Sequence, residues 1–536
     1  MKAGAASVGV AFGLSARIPS KLLQAVRFSL LQVDALSSKV RVRIAPSPTG
    51  SLHLGTARTA LYNYLYAKRH QGTFILRLED TDDERSEDRY TQDILDGLKW
   101  LGIHWEEGPD IGGPYPPYTQ TAKVDHYAQL AHQLVSKGLA YMSYETPEEL
   151  SAMKEEQKIK GEPPRYDNSG RNLTKAQIEQ YQAQGRVPSI RFKVEEPRVV
   201  TWVDKIKGEI AIDSSDLGGD MVIVKSNGIA TYNFAVVIDD IDMKMTHVIR
   251  GEDHIHNTAK QILLYEALGA DPPEFAHAAL IFDLDRAKLS KRKHGEFVHI
   301  DRYRRDGYLP EALVNYLAQM SWTPPNEQEI FTLEEAGAMF DLDRVSKSPA
   351  VFDLDRLKWF NQQYITKLPL EKATELAKPY LADYDLSAYS EEEIRNIVES
   401  VRSGLHMLSE ITPAVDFYFK KKLDISEESR SGALASESSK RVLQKALSLL
   451  DTFPWGDHKG CKSVVDALGK ELSVKGKELY HPMRIALSGK EKGPDLGSII
   501  SILGPTRVKQ RIEDGLSLIT VAIALAFLIC APTLIG

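Results

Sequence analysis

The chain predicts an α/β fold with an inserted block, followed by an all-helical block, and three observations carry that prediction. A strand–loop–helix–strand run occupies residues 40–78. Strand and helix signals of the same kind return only after about residue 230, so the stretch between interrupts the pattern. From about 366 to 514 helix follows helix, rich in Leu, Lys and Glu, with no internal repeat. A length of 536 residues with 43% hydrophobic content suffices for several cores.

The elements justify themselves in order. From Met1 to Val33 there is no Asp or Glu, while Lys2, Arg17, Lys21 and Arg27 lie among Ala, Ser, Val and Leu. An acid-poor, basic, Ser-containing stretch is the signature of an organellar transit peptide, expected over 1–38, with chloroplast, mitochondrion or both as destination. The basic residues interrupt any long apolar core, so a secretory signal fits less well. Val40 to Ile44 alternates in period two and reads as a strand. Pro46, Pro48 and Gly50 break it. Leu54, Ala57, Leu61 and Leu65 recur at helical spacing, and Gly72 is the expected stop. Phe74 to Leu78 is the next strand, which makes a βαβ unit. Its ligand crevice lies at the strand C-termini, beside residues 46–53 and Glu79.

The Gly/Pro/Tyr run at 112–118 marks a junction. Residues 120–231 read as the insertion, with strands at 189–194 and 221–225. Strand-like stretches return at Val236–Ile238 and Val248–Arg250, and a helix is expected over Thr258–Leu268. Leu309 to Met320 is helical in pattern. Leu516 to Gly536 carries no charge. By length it reads as a membrane anchor, a buried terminal helix, or a stretch translated from non-coding sequence.

Bulk properties exclude some classes. The net charge is −7, so nucleic acid would need a local basic patch. Two cysteines, Cys461 and Cys530, cannot build a disulfide framework or a cysteine-rich zinc site, and a reducing compartment fits.

Two segments carry the chemistry. His53 opens a helix after a turn-rich loop, and helix N-termini attract phosphates through unpaired N–H groups and the dipole. Gly50 and Gly55 allow close approach of a ligand to the backbone. Alone, such a histidine reads as an ordinary residue of a helix start. Lys288 and Lys291 lie on a loop with Arg286, Arg292 and Lys293. Alone, that run reads as a solvated face. Together, the segments could hold a nucleotide triphosphate while lysines stabilise charge developing at phosphorus. Arg43 and Arg250 offer forks for carboxylates, and Glu79 offers a partner for an ammonium. A ligand with two carboxylates and one amine, such as glutamate, would satisfy all three. Internal Arg–Glu pairing is the competing reading.

In this order and separation, His53-Leu54-Gly55-Thr56 and Lys288-Leu289-Ser290-Lys291-Arg292 resemble the two signatures of class I aminoacyl-tRNA synthetases. The phrases at 43–55, 76–82, 231–240, 247–254 and 346–361 narrow the resemblance to the glutamyl-tRNA synthetase family, in its organellar form, over about 39–514. The resemblance implies a Rossmann-like catalytic domain in halves 39–119 and 232–270, split by a tRNA acceptor-binding domain at 120–231. It further implies a stem-contact region at 271–365, a helical anticodon-binding domain at 366–514, and an apolar tail at 515–536 that is not family-like. Beyond Asp514 the resemblance stops, which favours translated non-coding sequence over a membrane anchor for that tail.

The implied activity is that of a glutamate–tRNA ligase. ATP activates L-glutamate as the adenylate, and the 3′ end of tRNA(Glu), with tRNA(Gln) open as a second acceptor, takes the glutamyl group. Magnesium accompanies ATP, and the enzyme works as a monomer. The resemblance places Arg43, Ile44, Ala45, Ser47, Glu79, Tyr232 and Arg250 around glutamate, with Asn233, Phe234, Ala235 and Val236 as a wall. Arg43 and Tyr232 would take the side-chain carboxylate, Arg250 the α-carboxylate, and Glu79 with Ser47 the amine. His53, Gly55, Asp253, Lys288, Leu289, Ser290, Lys291 and Arg292 would hold ATP, with His53, Lys288 and Lys291 carrying the chemistry. Some relatives hold zinc through cysteines where this chain has Tyr141 to Glu145, so no zinc is expected. Thr56 replaces the second histidine of the signature, which alters the hydrogen bonding expected there. A tRNA-binding paralogue without catalysis is the alternative, and a relative that glutamylates a tRNA base is disfavoured by the helical block.

Overall fold

Strand β1 (Arg41–Ile44) forms where the sequence alternates and runs parallel to β2 (Thr73–Leu76), with Arg43 opposite Ile75. The computed structural model describes residues 39–81 and 88–530, with side chains as far as Ile519. The expected leader at 1–38 and the end of the tail at 531–536 lie outside the described residues. Helix α1 (Leu54–Arg69) connects the two strands and buries Leu54, Ala57, Leu61 and Leu65. The chain reverses after it at Gln71, whose φ is 51°, rather than at Gly72. Gly72 is needed for another reason: a Cβ there would run into the Val40 carbonyl. A parallel pair joined by a helix opens its crevice at the strand C-termini.

Next come α2 (Asp88–Trp100) and α3 (Val124–Ser136). Strands β3 (Ala140–Ser143), β4 (Ser189–Phe192) and β7 (Met221–Val224) make an antiparallel sheet with β4 central. Between β4 and β7 the chain makes the hairpin of β5 (Val199–Asp204) and β6 (Gly208–Asp213). That hairpin does not stay with its sequence neighbours. Asp204 pairs with Phe275, which adds the hairpin to the sheet of β8 (His247–Gly251) and β9 (Glu274–Ala278), in order β6-β5-β9-β8. Tyr127, Phe192 and Ile212 accordingly share one apolar cluster with Phe234 and Phe275.

The stretch expected as a strand at Val236–Ile238 is helical, inside α4 (Tyr232–Asp242). Its residues from Phe234 to Asp240 are all buried, and a short run buried on every side carries no period that separates helix from strand. Strand β8 follows, then α5 (Ile255–Leu268) and β9. The Thr246 N–H donates to the Arg41 carbonyl at 3.0 Å, which sets β8 beside β1. The C-terminal ends of β1, β2 and β8 therefore converge.

Beyond them, α6 (Pro310–Gln319) packs into the first core. Helix α7 (Leu354–Lys367) bridges two cores: Leu357 and Phe360 belong to the first, Ile365 to that of the helical block. The last helix, α8 (Leu496–Cys530), kinks at Gly504, whose φ is 71°, just before Pro505. Its Ile519 is fully buried in the helical core, and Leu516 and Leu518 pack against that core. The start of the apolar tail thus behaves as a packed helix. Among the described residues, no helix is long and apolar enough to cross a membrane.

Candidate active site

A cavity of about 530 Å³ opens at the converging strand ends. Its walls include Arg43, Ile44, Ala45, Ser47 and Glu79, together with Tyr232 and Arg250. On the other side stand His53, Gly55, Asp253, Lys288, Leu289, Ser290 and Lys291. The two distant sequence segments therefore face one space. Arg292 is not among the lining residues. Nor are Phe234, Ala235 and Val236, which are buried in the core behind the wall because the stretch is helical. Asn233 also stands back from the cavity. Its Oδ1 accepts from Gln261 Nε2 at 3.0 Å, and Gln261 Oε1 accepts from Arg250 Nη2 at 2.7 Å.

The end of the cavity at Arg43, Glu79 and Arg250 is an array of buried charge. Arg43 donates through Nε and Nη2 to Asp240 at 3.2 and 3.3 Å, so one of the two expected carboxylate forks already has an internal partner. Arg77, fully buried behind it, binds Asp240 at 2.7 Å and lies 3.5 Å from both Asp239 and Glu79. Lys123 and the Tyr127 hydroxyl each donate to Asp239 at 2.8 Å, which ties the inserted block to this array. The Glu79 N–H donates to the Pro46 carbonyl at 3.0 Å and clamps the loop to the strand end. Burial pushes the Glu79 carboxyl up to about 7, against the pull of Arg77 and Arg43.

Arg250 differs from Arg43. Its Nη2 donates to Thr258 Oγ1 and Gln261 Oε1, both at 2.7 Å, and its Nε to His277 Nε2 at 3.3 Å. All three acceptors are neutral, and Nη1 has no partner among the described residues. Burial lowers its pKa, which is the mark of a cation without compensation. Such a group at a cavity wall is a receptor for an anion. Tyr232 shares a hydrogen bond with His254 Nδ1 at 3.2 Å. Burial, then Arg250, holds His254 down at about 4, so it is neutral at pH 7.

The other end is built on α1. His53 is its N-cap, and Nδ1 accepts the Thr56 N–H at 3.3 Å while Nε2 lies 3.1 Å from Thr56 Oγ1. Thr56 thus serves the histidine that precedes it. Burial, then Lys291, holds His53 at about 4, so it offers a neutral ring and not a charge. At Gly55 a Cβ would sit 3.2 Å from His53 Cε1, a tight approach that the ring would have to give way to. The Lys291 ammonium occupies the space beside Gly50 where a side chain would otherwise lie. Its pKa is lowered by partial burial. Lys288 Nζ pairs with Asp253 Oδ2 at 3.1 Å. Burial would raise the Asp253 carboxyl, but the bond from Lys288 outweighs it and the pKa is lowered.

Arg58, which the sequence did not single out, also lines the cavity. It donates to the Ala279 carbonyl, and its Nε has no partner among the described residues. The signal was present: Arg58 lies four residues after Leu54, on the apolar stripe of α1, where a charge is unexpected. Asp240 and His277 gave no such signal, because their partners lie 197 and 73 residues away.

Among the described residues, no group of three or more His, Cys, Asp or Glu side chains could hold a metal ion. Near Tyr141 to Glu145 the chain builds a hydrogen-bonded cluster on Asp220. Tyr141 donates to it at 2.7 Å, Arg171 Nε at 2.5 Å and the Val194 N–H at 2.8 Å. Arg191 lies 3.6 Å over the Tyr166 ring. A second, larger opening of about 1170 Å³ lies in the helical block, bordered by Lys459, Lys462, Lys490, Lys492 and Arg507. Glu392, Glu393, Glu399 and Asp495 border the same opening, so its charge is mixed.

Known proteins agree with this geometry. Residues 39–359 match the family described as tRNA synthetases class I (E and Q), catalytic domain, and residues 372–516 match an anticodon binding domain. A glutamate–tRNA ligase of Carboxydothermus hydrogenoformans is 47% identical over 480 residues, covering 89% of this chain and 99% of that protein. The glutamate–tRNA ligase of Bacillus subtilis is 44% identical over 484 residues, covering 89% of this chain and 100% of that protein. A crystal structure of a glutamate tRNA ligase from Elizabethkingia meningosepticum, in complex with its amino acid, superposes with a TM-score of 0.81 at 33% identity, covering 90% of this chain and 99% of that one. The relatives quoted are bacterial. With both family matches in sequence order and relatives aligned over nearly their whole length, the chain belongs to the glutamate–tRNA ligase family of class I aminoacyl-tRNA synthetases.

Proposed function

We propose that this chain joins L-glutamate to tRNA(Glu) at the expense of ATP, in one cavity. An oxygen of the glutamate α-carboxylate attacks the α-phosphorus of ATP, forming the adenylate and expelling pyrophosphate. The ribose hydroxyl at the tRNA 3′ end then attacks the adenylate carbonyl, the ester forms, and AMP leaves. No enzyme side chain bonds covalently to the substrate, so positioning and charge stabilisation supply the rate. The observation that carries this reading is Arg250, a buried cation with only neutral partners, facing the same space as Glu79 and Lys291.

The residue roles follow. Arg250 takes the α-carboxylate. Arg43, steadied by Asp240, takes the side-chain carboxylate with the Tyr232 hydroxyl. Glu79 and Ser47 take the ammonium. His53, Gly55 and Asp253 border ATP, and Lys288 and Lys291 neutralise the phosphate charge that grows in the transition state. With glutamine, Arg43 would keep Asp240 but lose the substrate carboxylate, and a site built for one polar group discriminates strongly against its analogue. Charging of tRNA(Glu) with labelled glutamate tests the reading; absence of glutamyl ester with intact protein overturns it. A non-catalytic tRNA-binding paralogue is disfavoured, because the lysines and His53 converge on the cavity in place.

Import into a chloroplast or mitochondrion is supported by the acid-free composition of 1–33, and an import assay with fluorescent fusions of 1–38 tests it. Action as a monomer is the expectation from the family resemblance, and sedimentation tests it. Charging of tRNA(Gln) is the second arm of the aminoacylation assay.

A further inference from the structure

The two arginines of the amino-acid pocket are held in opposite ways. Arg43 leans directly on the carboxylate of Asp240. Arg250 has a carboxylate only at one remove, through His277. His277 is fully buried, and its Nδ1 lies 2.5 Å from Asp204 Oδ2. Asp204 is buried at the end of β5, and its Oδ1 accepts the backbone N–H groups of His277, Ile206 and Lys207 at 3.1, 3.0 and 2.8 Å. A carboxylate with that many donors is ionised, so the shared proton sits on His277 Nδ1. The Nε2 lone pair then faces both the Arg250 Nε–H at 3.3 Å and the Thr258 hydroxyl at 3.0 Å, and with the Thr258 proton on the His254 carbonyl at 3.2 Å it is left to Arg250. Burial keeps the ring neutral, and the Arg250 charge acts in the same direction, although Asp204 opposes both.

We infer that the Asp204–His277 dyad is a positioning device for Arg250: it fixes the guanidinium through a neutral acceptor, so that a carboxylate of the substrate becomes its only anionic partner. A carboxylate placed directly on Arg250 would steady it equally well but would occupy the charge that the ligand must meet. A bare serine or threonine would leave the charge free but would not fix the plane of the fork. A histidine locked in one tautomer by a buried carboxylate does both. Thr258 and Gln261 complete the frame on Nη2, leaving Nη1 as the one nitrogen without a partner among the described residues. Because Asp204 belongs to the hairpin that pairs with β9, the same carboxylate also pins that hairpin to the catalytic sheet.

This inference rests on the reading of Arg250 as a carboxylate receptor, and the test separates the two. The full-length enzyme is assayed by aminoacylation of tRNA(Glu) with glutamate and ATP titrated separately. His277→Phe keeps an aromatic ring stacked near Phe275 and removes the acceptor. It should raise the glutamate KM about tenfold to a hundredfold, the loss of one hydrogen bond to a charged group. The ATP KM should stay within about twofold, since the dyad does not touch the nucleotide end. His277→Gln, which restores an acceptor near the Nε2 position, should recover part of the loss. Asp204→Asn, which donates to Nδ1 and turns Nε2 into a donor facing Arg250, should act like His277→Phe, and it stands in if that variant does not fold. Equal rises in both KM values, or Phe and Gln variants that behave alike, would overturn the positioning role. Arg250→Lys is the control: a normal glutamate KM there overturns the receptor reading itself, and the positioning role with it.

Discussion

Replacing Arg250 by methionine should separate binding from folding. The arginine is 5% exposed, its direct hydrogen-bond partners are all neutral, and its Nη1 is unpartnered among the described residues. Burying an ion without a partner costs several kcal/mol even after relaxation, at roughly that size per ion. Methionine follows much of the same path and removes that cost. Against it, the acceptors of Arg250 lose a donor. The Thr258 hydroxyl can turn to His277 Nε2, 3.0 Å away, which leaves Gln261 Oε1 as the net loss. One unsatisfied buried acceptor costs about 1–3 kcal/mol. The two terms are of similar size and opposite sign, so the melting temperature should move by only a few degrees in either direction. Glutamate binding should fall far more. Leaving one member of a buried ion pair alone costs about 3–5 kcal/mol, or roughly 100- to 4000-fold at 1.4 kcal/mol per tenfold. Thermal denaturation and a glutamate titration of aminoacylation on the same preparation read both quantities. A glutamate KM within about threefold of the parent, in a protein that melts normally, would refute the reasoning.

Lys291→Ala should lower the rate of adenylate formation about 100- to 1000-fold, the range for losing one preorganised charge at a transition state, with little change in melting because the residue is exposed; glutamate-dependent pyrophosphate exchange measures it, and an unaltered rate would remove Lys291 from the chemistry. Glu79 has a folded-state pKa of about 7, above the ordinary carboxyl value. The glutamate ammonium pairs with the ionised form, so the apparent glutamate KM should climb as pH falls below about 7, with a proton released on binding that calorimetry in two buffers detects. The same raised pKa means this group's contribution to folding stability declines as pH rises from about 4.5 to about 7, since the native state holds the proton in that window; Glu79→Gln should flatten both dependences. Asp220→Ala takes the acceptor from Tyr141, Arg171 and the Val194 N–H in the inserted block and should destabilise it by about 1–3 kcal/mol, the cost of leaving a buried polar group unsatisfied. A chelator added to the parent protein without substrates should leave its melting unchanged, and a chelator-induced loss of structure would contradict a block fastened by its own hydrogen bonds, ion pairs and apolar core.

Local chemistry made much of this legible in the sequence. The βαβ unit could be read because its strands alternate and its helix carries a clear apolar stripe from Leu54 to Leu65. His53 and the 288–291 lysines could be paired only through their resemblance to a known family, since nothing local says that two loops this far apart share a cavity. What stayed hidden was what depends on tertiary contact. Val236 to Ile238 looked like a strand because a helix buried on all sides has no polar face to mark its period. Gly72 was read as a helix stop for its flexibility, whereas its small size makes room for the Val40 carbonyl and Gln71 takes the turn. Asp240 and His277 hold the two pocket arginines from distant parts of the chain, and no spacing rule reaches that far. The pairing of the 199–213 hairpin with β9 was equally out of reach, because one register position decides it.

The most direct measurement is aminoacylation of tRNA(Glu) by the purified full-length chain, with labelled glutamate or labelled glutamine in parallel and ATP in excess. The account predicts glutamyl ester on the tRNA, pyrophosphate released only when glutamate is present, and no detectable glutaminyl ester. Ester formation from glutamine at a comparable rate, or none from glutamate, would contradict it.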